Sequence, residues 1–136
     1  MAWEDVVQTI PGLIANADLS TYQYRFVRKT VGVDLEVAIA GDGDMPIGVL
    51  GNRPSASGQA AEVITLGVTK VVAGEALVAG DRVSPMANGL AKKTELTITG
   101  ADVGDFVVGQ VLVGAATNEY AVITINGLNP WRVESA

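Results

Sequence analysis

Two aspartates, Asp42 and Asp44, have the spacing most suggestive of a metal site in this sequence. They alternate with Gly41 and Gly43, and hard cations such as calcium bind several carboxylate oxygens at once. A calcium-binding loop also ends on a bidentate glutamate, which this stretch lacks. We therefore interpret residues 41–44 as a turn between strands, and the sequence predicts neither a metal ion nor a cofactor.

The residues that most often carry out catalysis are missing from the chain. It contains no histidine and no cysteine, so the usual general base and the thiolate nucleophile are both absent. The small polar loop at 51–58 has no Gly-Lys-Ser/Thr sequence, and Lys70 lies inside an apolar run rather than at the start of a helix, so neither stretch is a phosphate loop. The sequence predicts that the protein is not an enzyme.

Charge and hydropathy exclude two classes of partner. The net charge is −6, with nine scattered basic residues, and this balance works against electrostatic binding to nucleic acid. No apolar run approaches the roughly 20 residues of a membrane-spanning helix. The first five residues are acidic where a signal peptide would be basic. We predict that neither nucleic acid nor a membrane is a partner.

Alternating apolar and polar residues in short runs predict a mainly β protein. Tyr22–Thr30 and Leu35–Ala40 alternate with a period of two, which is typical of half-buried strands. The stretch Gly58–Leu90 predicts two or three short strands: Val63–Leu66 is apolar and β-branched, and the run continues after Gly67 with Val68–Val72. Further strands are predicted at Glu95–Thr99, Phe106–Gly114 and Tyr120–Ile125. The fold class expected is a small β-barrel or sandwich-like domain with an extended N-terminal arm.

Two features indicate how these strands connect. Asn88-Gly89 is a strong hairpin signal, because both residues tolerate positive φ. The chain also contains an internal echo, since Ile47–Gly51 followed by Val63–Leu66 resembles Gly109–Gly114 followed by Val122–Ile125. The echo is either a chance similarity in a chain rich in valine and glycine or a pair of related hairpins.

The ends of the chain do not share the pattern of the middle. We divide the sequence into an N-terminal arm at 1–20, a β domain at 21–128 and a C-terminal tail at 129–136. The first segment is either a flap on its own domain or an arm, loosely held in the free protein, that docks on a neighbouring subunit. The candidate partner-binding residues in this segment are Trp3, Val6, Val7, Ile10, Leu13 and Ile14.

Taken in order, several short motifs resemble the capsid decoration, or cement, proteins of tailed bacteriophages. The motifs span about residues 22–125 and are Tyr24–Val27, Pro46–Leu50, Gly67–Val71, Ala79–Val83, Asn88–Ala91 and Val108–Leu112. The resemblance implies a small β domain that binds the major capsid protein on the outside of an assembled head, commonly as a homotrimer near a local threefold axis. It would be a virion protein, present in the host cytoplasm during assembly.

A second interpretation comes from a different functional class. The chain could be a carbohydrate- or receptor-binding β module of a phage fibre or surface appendage. Sugar sites usually place exposed aromatic rings beside polar groups, and the candidate rings here are Trp3, Tyr22, Tyr24, Tyr120 and Trp131. Two of the five lie in the terminal segments, which favours docking on a partner over sugar binding.

Overall fold

The computed structural model describes residues 5–95 and 104–133; for Asp5 and Val6 it describes the backbone alone. Within these ranges the chain forms short strands and one 3-10 turn at Ala87–Gly89. No helix in the described part of the chain is long and apolar enough to cross a membrane. The strands are β1 Asp5–Ile10, β2 Ile14–Ala15, β3 Phe26–Lys29, β4 Glu36–Ile39, β5 Gly48–Leu50, β6 Val63–Val72, β7 Arg82–Pro85, β8 Ala91–Lys93, β9 Phe106–Val107, β10 Gly109–Val113, β11 Tyr120–Asn126 and β12 Trp131–Arg132.

Most strands belong to one large sheet. Its order is β2-β4-β3-β5-β6-β11-β10-β7-β8, and β1 pairs with β6 outside this path. Only β2 and β4 are parallel; the other named pairs are antiparallel. A separate two-stranded sheet joins β12 to β9. The prediction of a mainly β, sandwich-like domain is confirmed, although the sheet as described stays open instead of closing into a barrel.

Strand β6 runs unbroken through Gly67, from Val63 to Val72. Gly67 has φ +126, a conformation that favours glycine. Strand β11 nevertheless pairs with β6 at seven consecutive positions, from Tyr120 opposite Val72 to Asn126 opposite Leu66. Glycine thus accommodates a local distortion without ending the strand, and the stretch Gly58–Leu90 contains two strands, β6 and β7, within the two or three predicted.

The internal echo corresponds to two neighbouring hairpins. β5 pairs antiparallel with β6, and β10 pairs antiparallel with β11. Because β6 also pairs with β11, the two hairpins lie side by side at the centre of the sheet. The interpretation of the echo as paired hairpins is confirmed. The Asn88-Gly89 hairpin is also present: both residues have positive φ, at 63° and 71°, and they connect β7 to β8.

The central strands bury side chains on both faces of the sheet. Successive residues of a strand point to opposite faces, and Val49 and Leu50 of β5 accordingly belong to two different core clusters. Val63 and Ile64 of β6 divide in the same way. On one face of the sheet, residues of β7, β10 and β11 complete the larger cluster. The cluster on the opposite face contains no residue of these three strands, so other parts of the chain cover it.

That second face is covered by the segment that follows β1. Leu13, Ala15 and Leu19 are all buried, and they pack in one cluster with residues of β3, β4, β5 and β6. The backbone is held as well, since Ala15 donates a hydrogen bond to Gln59 O at 2.9 Å. Residues 13–19 therefore lie as a flap on their own domain, the first of the two alternatives for this segment.

Candidate functional site

The candidate partner-binding residues divide according to their burial. Val7 is 37% exposed on β1, and Ile10 and Ile14 are partly buried. Leu13 is only 5% exposed and packs into the cluster beneath the flap. Trp3 and the side chain of Val6 lie outside the described part of the chain. Val7 is therefore the side chain of this set that is exposed in the described part of the chain, whereas Ile10 packs against the same cluster as Leu13.

The two aspartates considered for calcium binding are engaged by basic side chains. Asp44 lies 3.3 Å from Arg28 Nε, and its carboxylate accepts a hydrogen bond from the backbone N–H of Gly41 at 2.8 Å. Asp42 accepts a hydrogen bond from Lys92 Nζ at 2.8 Å. Within residues 5–95 and 104–133 no three His, Cys, Asp or Glu side chains group as metal ligands would.

Lys92 also contacts a second, buried carboxylate. Its Nζ lies 3.1 Å from Asp105 Oδ1, and the side chains of Lys92 and Asp105 are 12% and 5% exposed. Burial lowers the pKa of Lys92, but hydrogen bonds and charge interactions with Asp42 and Asp105 outweigh it and raise the pKa above its ordinary value of 10.5. Asp105 further accepts a hydrogen bond from Glu95 N at 3.0 Å. This pair anchors β8 to the chain before β9.

Four apolar side chains are exposed around the loop between β3 and β4. We call this set, which comprises Val31, Val33, Leu35 and Met45, the loop patch; Val31 is 89% exposed. Three of the four side chains, those of Val31, Val33 and Met45, border a groove of about 520 Å³ together with Arg28, Lys29, Thr30 and Asp44. Contiguous exposed apolar surface often marks an interaction site, and the sequence analysis did not single out this loop.

Tyr24 organises a second surface through an uncommon backbone conformation. Its φ is +62°, a region rarely adopted by bulky residues. Neighbouring strand ends fix it there, because Tyr24 N donates to Leu50 O at 2.6 Å and Val72 N donates to Tyr24 O at 2.9 Å. The predicted strand over Tyr22–Thr30 consequently begins only at Phe26. Such strain often accompanies binding sites, although the sequence gives no signal for it.

Three of the five candidate sugar-binding aromatics meet in this region. The rings of Tyr24 and Tyr120 are in edge-to-face contact at a centroid distance of 5.5 Å. Lys70 Nζ lies 4.4 Å from the Tyr24 centroid and 5.8 Å from the Tyr120 centroid. Arg25 Cζ stands 5.1 Å from the centroid of Tyr22. Trp131 is instead near Arg82, and Trp3 is outside the described residues.

A groove of about 490 Å³ opens beside these rings. We call it the tyrosine groove; it is lined by Thr21, Gln23, Arg25, Arg53, Asn118 and Tyr120, together with Ser20 and Val72. Gln23 positions Arg53, because its Oε1 accepts a hydrogen bond from Arg53 Nε at 2.9 Å while its Nε2 donates to Gly51 O at 2.8 Å. Tyr120 remains 48% exposed. Sequence analysis named the tyrosines but missed the two arginines, which are distant in the chain.

The charge of the side chains that line the tyrosine groove is opposite in sign to the net charge of the whole protein. The chain carries −6, yet no carboxylate lines the groove. Within the part of the chain that the structure describes, Arg25, Arg53 and Lys70 have no carboxylate within salt-bridge distance. The buried Nε of Arg25 has no hydrogen-bond partner among the same residues. The lining of the groove thus contains two arginines and no carboxylate, and Arg25 Nη1 donates a hydrogen bond to Asn88 O at 3.2 Å.

Comparison with known proteins relates the chain to one phage structure by fold. No protein-family model matches the sequence, and no curated protein matches it. Among solved structures, it is similar to the N base of the head fibre gp8.5 in bacteriophage phi29, with a TM-score of 0.62. The alignment covers 90% of this chain and 94% of that one, at 20% sequence identity. At this identity the likeness shows a shared fold across nearly the full length of both chains.

Proposed function

We propose that the protein is a structural component of a bacteriophage head, bound to the outer surface of the capsid. The observation that carries this proposal is the fold shared with the phi29 head fibre base over 90% of the chain. The motif resemblance to capsid decoration proteins supports the same role. Such a role requires no catalysis, in keeping with a chain that has neither histidine nor cysteine.

Within that role, we infer that the protein decorates and stabilises the shell. The partner is the major capsid protein, and the copies form a homotrimer around a local threefold axis. Closed cyclic symmetry lets each subunit reuse one patch, and many copies on a lattice bind with avidity even where each contact is weak. The alternative is a carbohydrate- or receptor-binding β module of a phage fibre or surface appendage, which would have a further partner outside the virion.

Two exposed apolar surfaces are candidates for the capsid contact. The first is β1, where Val7 is exposed and Ile10 is partly buried. The second is the loop patch, where Val31 is the most exposed side chain. We propose β1 as the docking surface, because within residues 5–95 and 104–133 β1 pairs only with β6, and its register shifts twice along that pairing. A strand held on one side has an edge available to a partner.

Co-sedimentation with undecorated heads tests both the role and the surface. We expect the wild-type protein to sediment with the heads and Val7→Asp to lose most of this binding, because a charge would be buried at the interface. Val78→Asp is the matched control, since Val78 is 64% exposed in the loop before β7. If Val31→Asp alone abolishes binding, the loop patch is the docking surface; if the wild-type protein never sediments, the capsid role is wrong.

Electron cryomicroscopy of decorated heads separates the finer alternatives. Decoration as a trimer predicts density around local threefold axes, with subunits in mutual contact. Isolated single copies away from those axes would contradict the trimer. Heads that lose decoration should also rupture at lower temperature if the protein stabilises the shell, whereas unchanged rupture would favour the alternative of a carbohydrate- or receptor-binding module.

A further inference from the structure

We propose that the tyrosine groove binds an acidic saccharide, a glycan whose sugar units carry an anionic group such as a carboxylate. This binding activity is additional to attachment to a capsid and does not depend on it. The groove, at about 490 Å³, lies within the range of about 300–1,000 Å³ typical of small-molecule sites. Three kinds of side chain in it match three parts of such a ligand.

The anionic group is matched by the arginines. Arg25 and Arg53 line the groove without a carboxylate partner in the described part of the chain. A planar guanidinium binds a carboxylate through two parallel hydrogen bonds. Gln23 holds Arg53 through its Nε, which leaves the two terminal nitrogens for a ligand. A less mobile guanidinium loses less entropy when it binds.

The sugar ring is matched by Tyr120 and the polar rim. Tyr120 is 48% exposed, and its contact with Tyr24 holds it from one side. An aromatic ring offers an apolar surface to the C–H face of a sugar, while Asn118 and Thr21 present an amide and a hydroxyl to its hydroxyl groups. Asn118 has φ +67°, so its side chain is carried by a tight turn at the groove margin.

An acidic peptide is the nearest competing ligand, and the backbone disfavours it. A bound peptide usually extends a sheet by pairing with an open strand edge. Here the strand residues in the lining, Val72 and Tyr120, already pair with each other. Val72 N donates to Tyr24 O on the other side. The remaining lining residues lie in turns and loops, which suits a compact ring better than an extended chain.

Isothermal titration calorimetry with the purified full chain tests the proposal without any phage head. The probe is tetragalacturonate, and the comparison ligands are neutral maltotetraose and a hexaglutamate peptide. We expect tetragalacturonate to bind and both comparison ligands to bind at least about tenfold more weakly: maltotetraose because it lacks the charge-assisted contact, and hexaglutamate because the groove offers an extended chain no open strand edge. Equal binding of maltotetraose, equal binding of hexaglutamate, or no binding of tetragalacturonate would each overturn the proposal.

Two variants and one control locate the binding. Arg53→Gln removes a guanidinium whose only hydrogen bond within the described residues is to Gln23, and we expect tetragalacturonate to bind about tenfold more weakly. Asn118→Gly removes the amide while tolerating positive φ, and binding should weaken several-fold. Arg82→Gln makes the same charge change outside the groove. If Arg82→Gln weakens binding as much as Arg53→Gln does, the attraction is general charge and the groove assignment is wrong.

Discussion

Gly48 and Gly109 lie in different central hairpins, and the backbone of each closely approaches a carbonyl of the partner strand. A Cβ on Gly48 would stand 2.3 Å from Ile64 O, and one on Gly109 would stand 1.9 Å from Thr124 O. For Gly109 the carbonyl belongs to the residue just before its paired residue, Ile125; for Gly48 it belongs to Ile64, the residue paired with the neighbouring Val49. The close backbone approach thus recurs in both halves of the internal echo.

We predict that Gly48→Ala and Gly109→Ala each destabilise the domain. The obstructing atom is a backbone oxygen inside a sheet, which cannot move aside as a flexible side chain can. Overpacking of this kind costs about 1–3 kcal/mol, measurable as a lower urea midpoint. Gly41→Ala is the control, because its Cβ would meet only the Asp44 carboxylate at 3.3 Å. Equal losses from all three substitutions would show that the close approach is not the cause.

The sequence could predict the hairpins but not the closeness of their strands. Alternation and β-branched runs identified most strands, and Asn88-Gly89 identified a turn, because these signals are local. The course of residues 13–19 depends on which strands leave a face uncovered, and that is decided by pairing between distant segments. The tyrosine groove likewise joins Gln23, Arg53 and Asn118, whose proximity has no local signature.

We predict that Lys92→Met is strongly destabilising, whereas Lys93→Met is nearly neutral. Removing Lys92 leaves the 5% exposed Asp105 without its cation, and loss of one partner of a buried pair costs about 3–5 kcal/mol. We expect the loss in the free energy of unfolding to lie near the lower end of this range, because Asp42, the second carboxylate paired with Lys92, is exposed. Lys93 is 65% exposed and stands 3.9 Å from Asp81, so its pair contributes at most about 1 kcal/mol. Guanidinium unfolding at neutral pH measures both, and equal effects would contradict the buried-pair interpretation.

The same pair predicts a pH dependence at the alkaline end. The pKa of Lys92 is raised in the folded protein from its ordinary value of 10.5, so the folded state holds the proton more tightly than the unfolded state. The contribution of the charged Lys92 side chain to the stability of the fold is therefore complete below pH 10.5 and is lost as the pH rises through the pKa of the folded state. The stability difference between wild type and Lys92→Met should shrink as the pH rises beyond 10.5. A difference that stays constant to higher pH would mean that the charge of Lys92 does not stabilise the fold.

The burial of Leu13 gives the last prediction. A loosely held arm would contribute little to stability, whereas a buried Leu13 should contribute substantially. Leu13 is 5% and Leu19 4% exposed, both within the cluster that covers the second face of the sheet. Leu13→Ala should lower the free energy of unfolding by about 2–5 kcal/mol, through lost burial and the cavity left behind. Val7→Ala, at a side chain 37% exposed, should stay within about 0.5 kcal/mol of wild type.

Truncation then separates the two parts of the N-terminal segment. Deleting residues 1–19 removes Leu13, Ala15 and Leu19 and exposes the face they cover, so the remaining chain should be strongly destabilised in urea. Deleting residues 1–9 removes most of β1 but keeps the flap, and we expect this variant to fold, with a lower midpoint, and to lose binding to phage heads. If the longer deletion melts like wild type, the flap is not part of the core; if the shorter one still binds heads fully, β1 is not the docking surface.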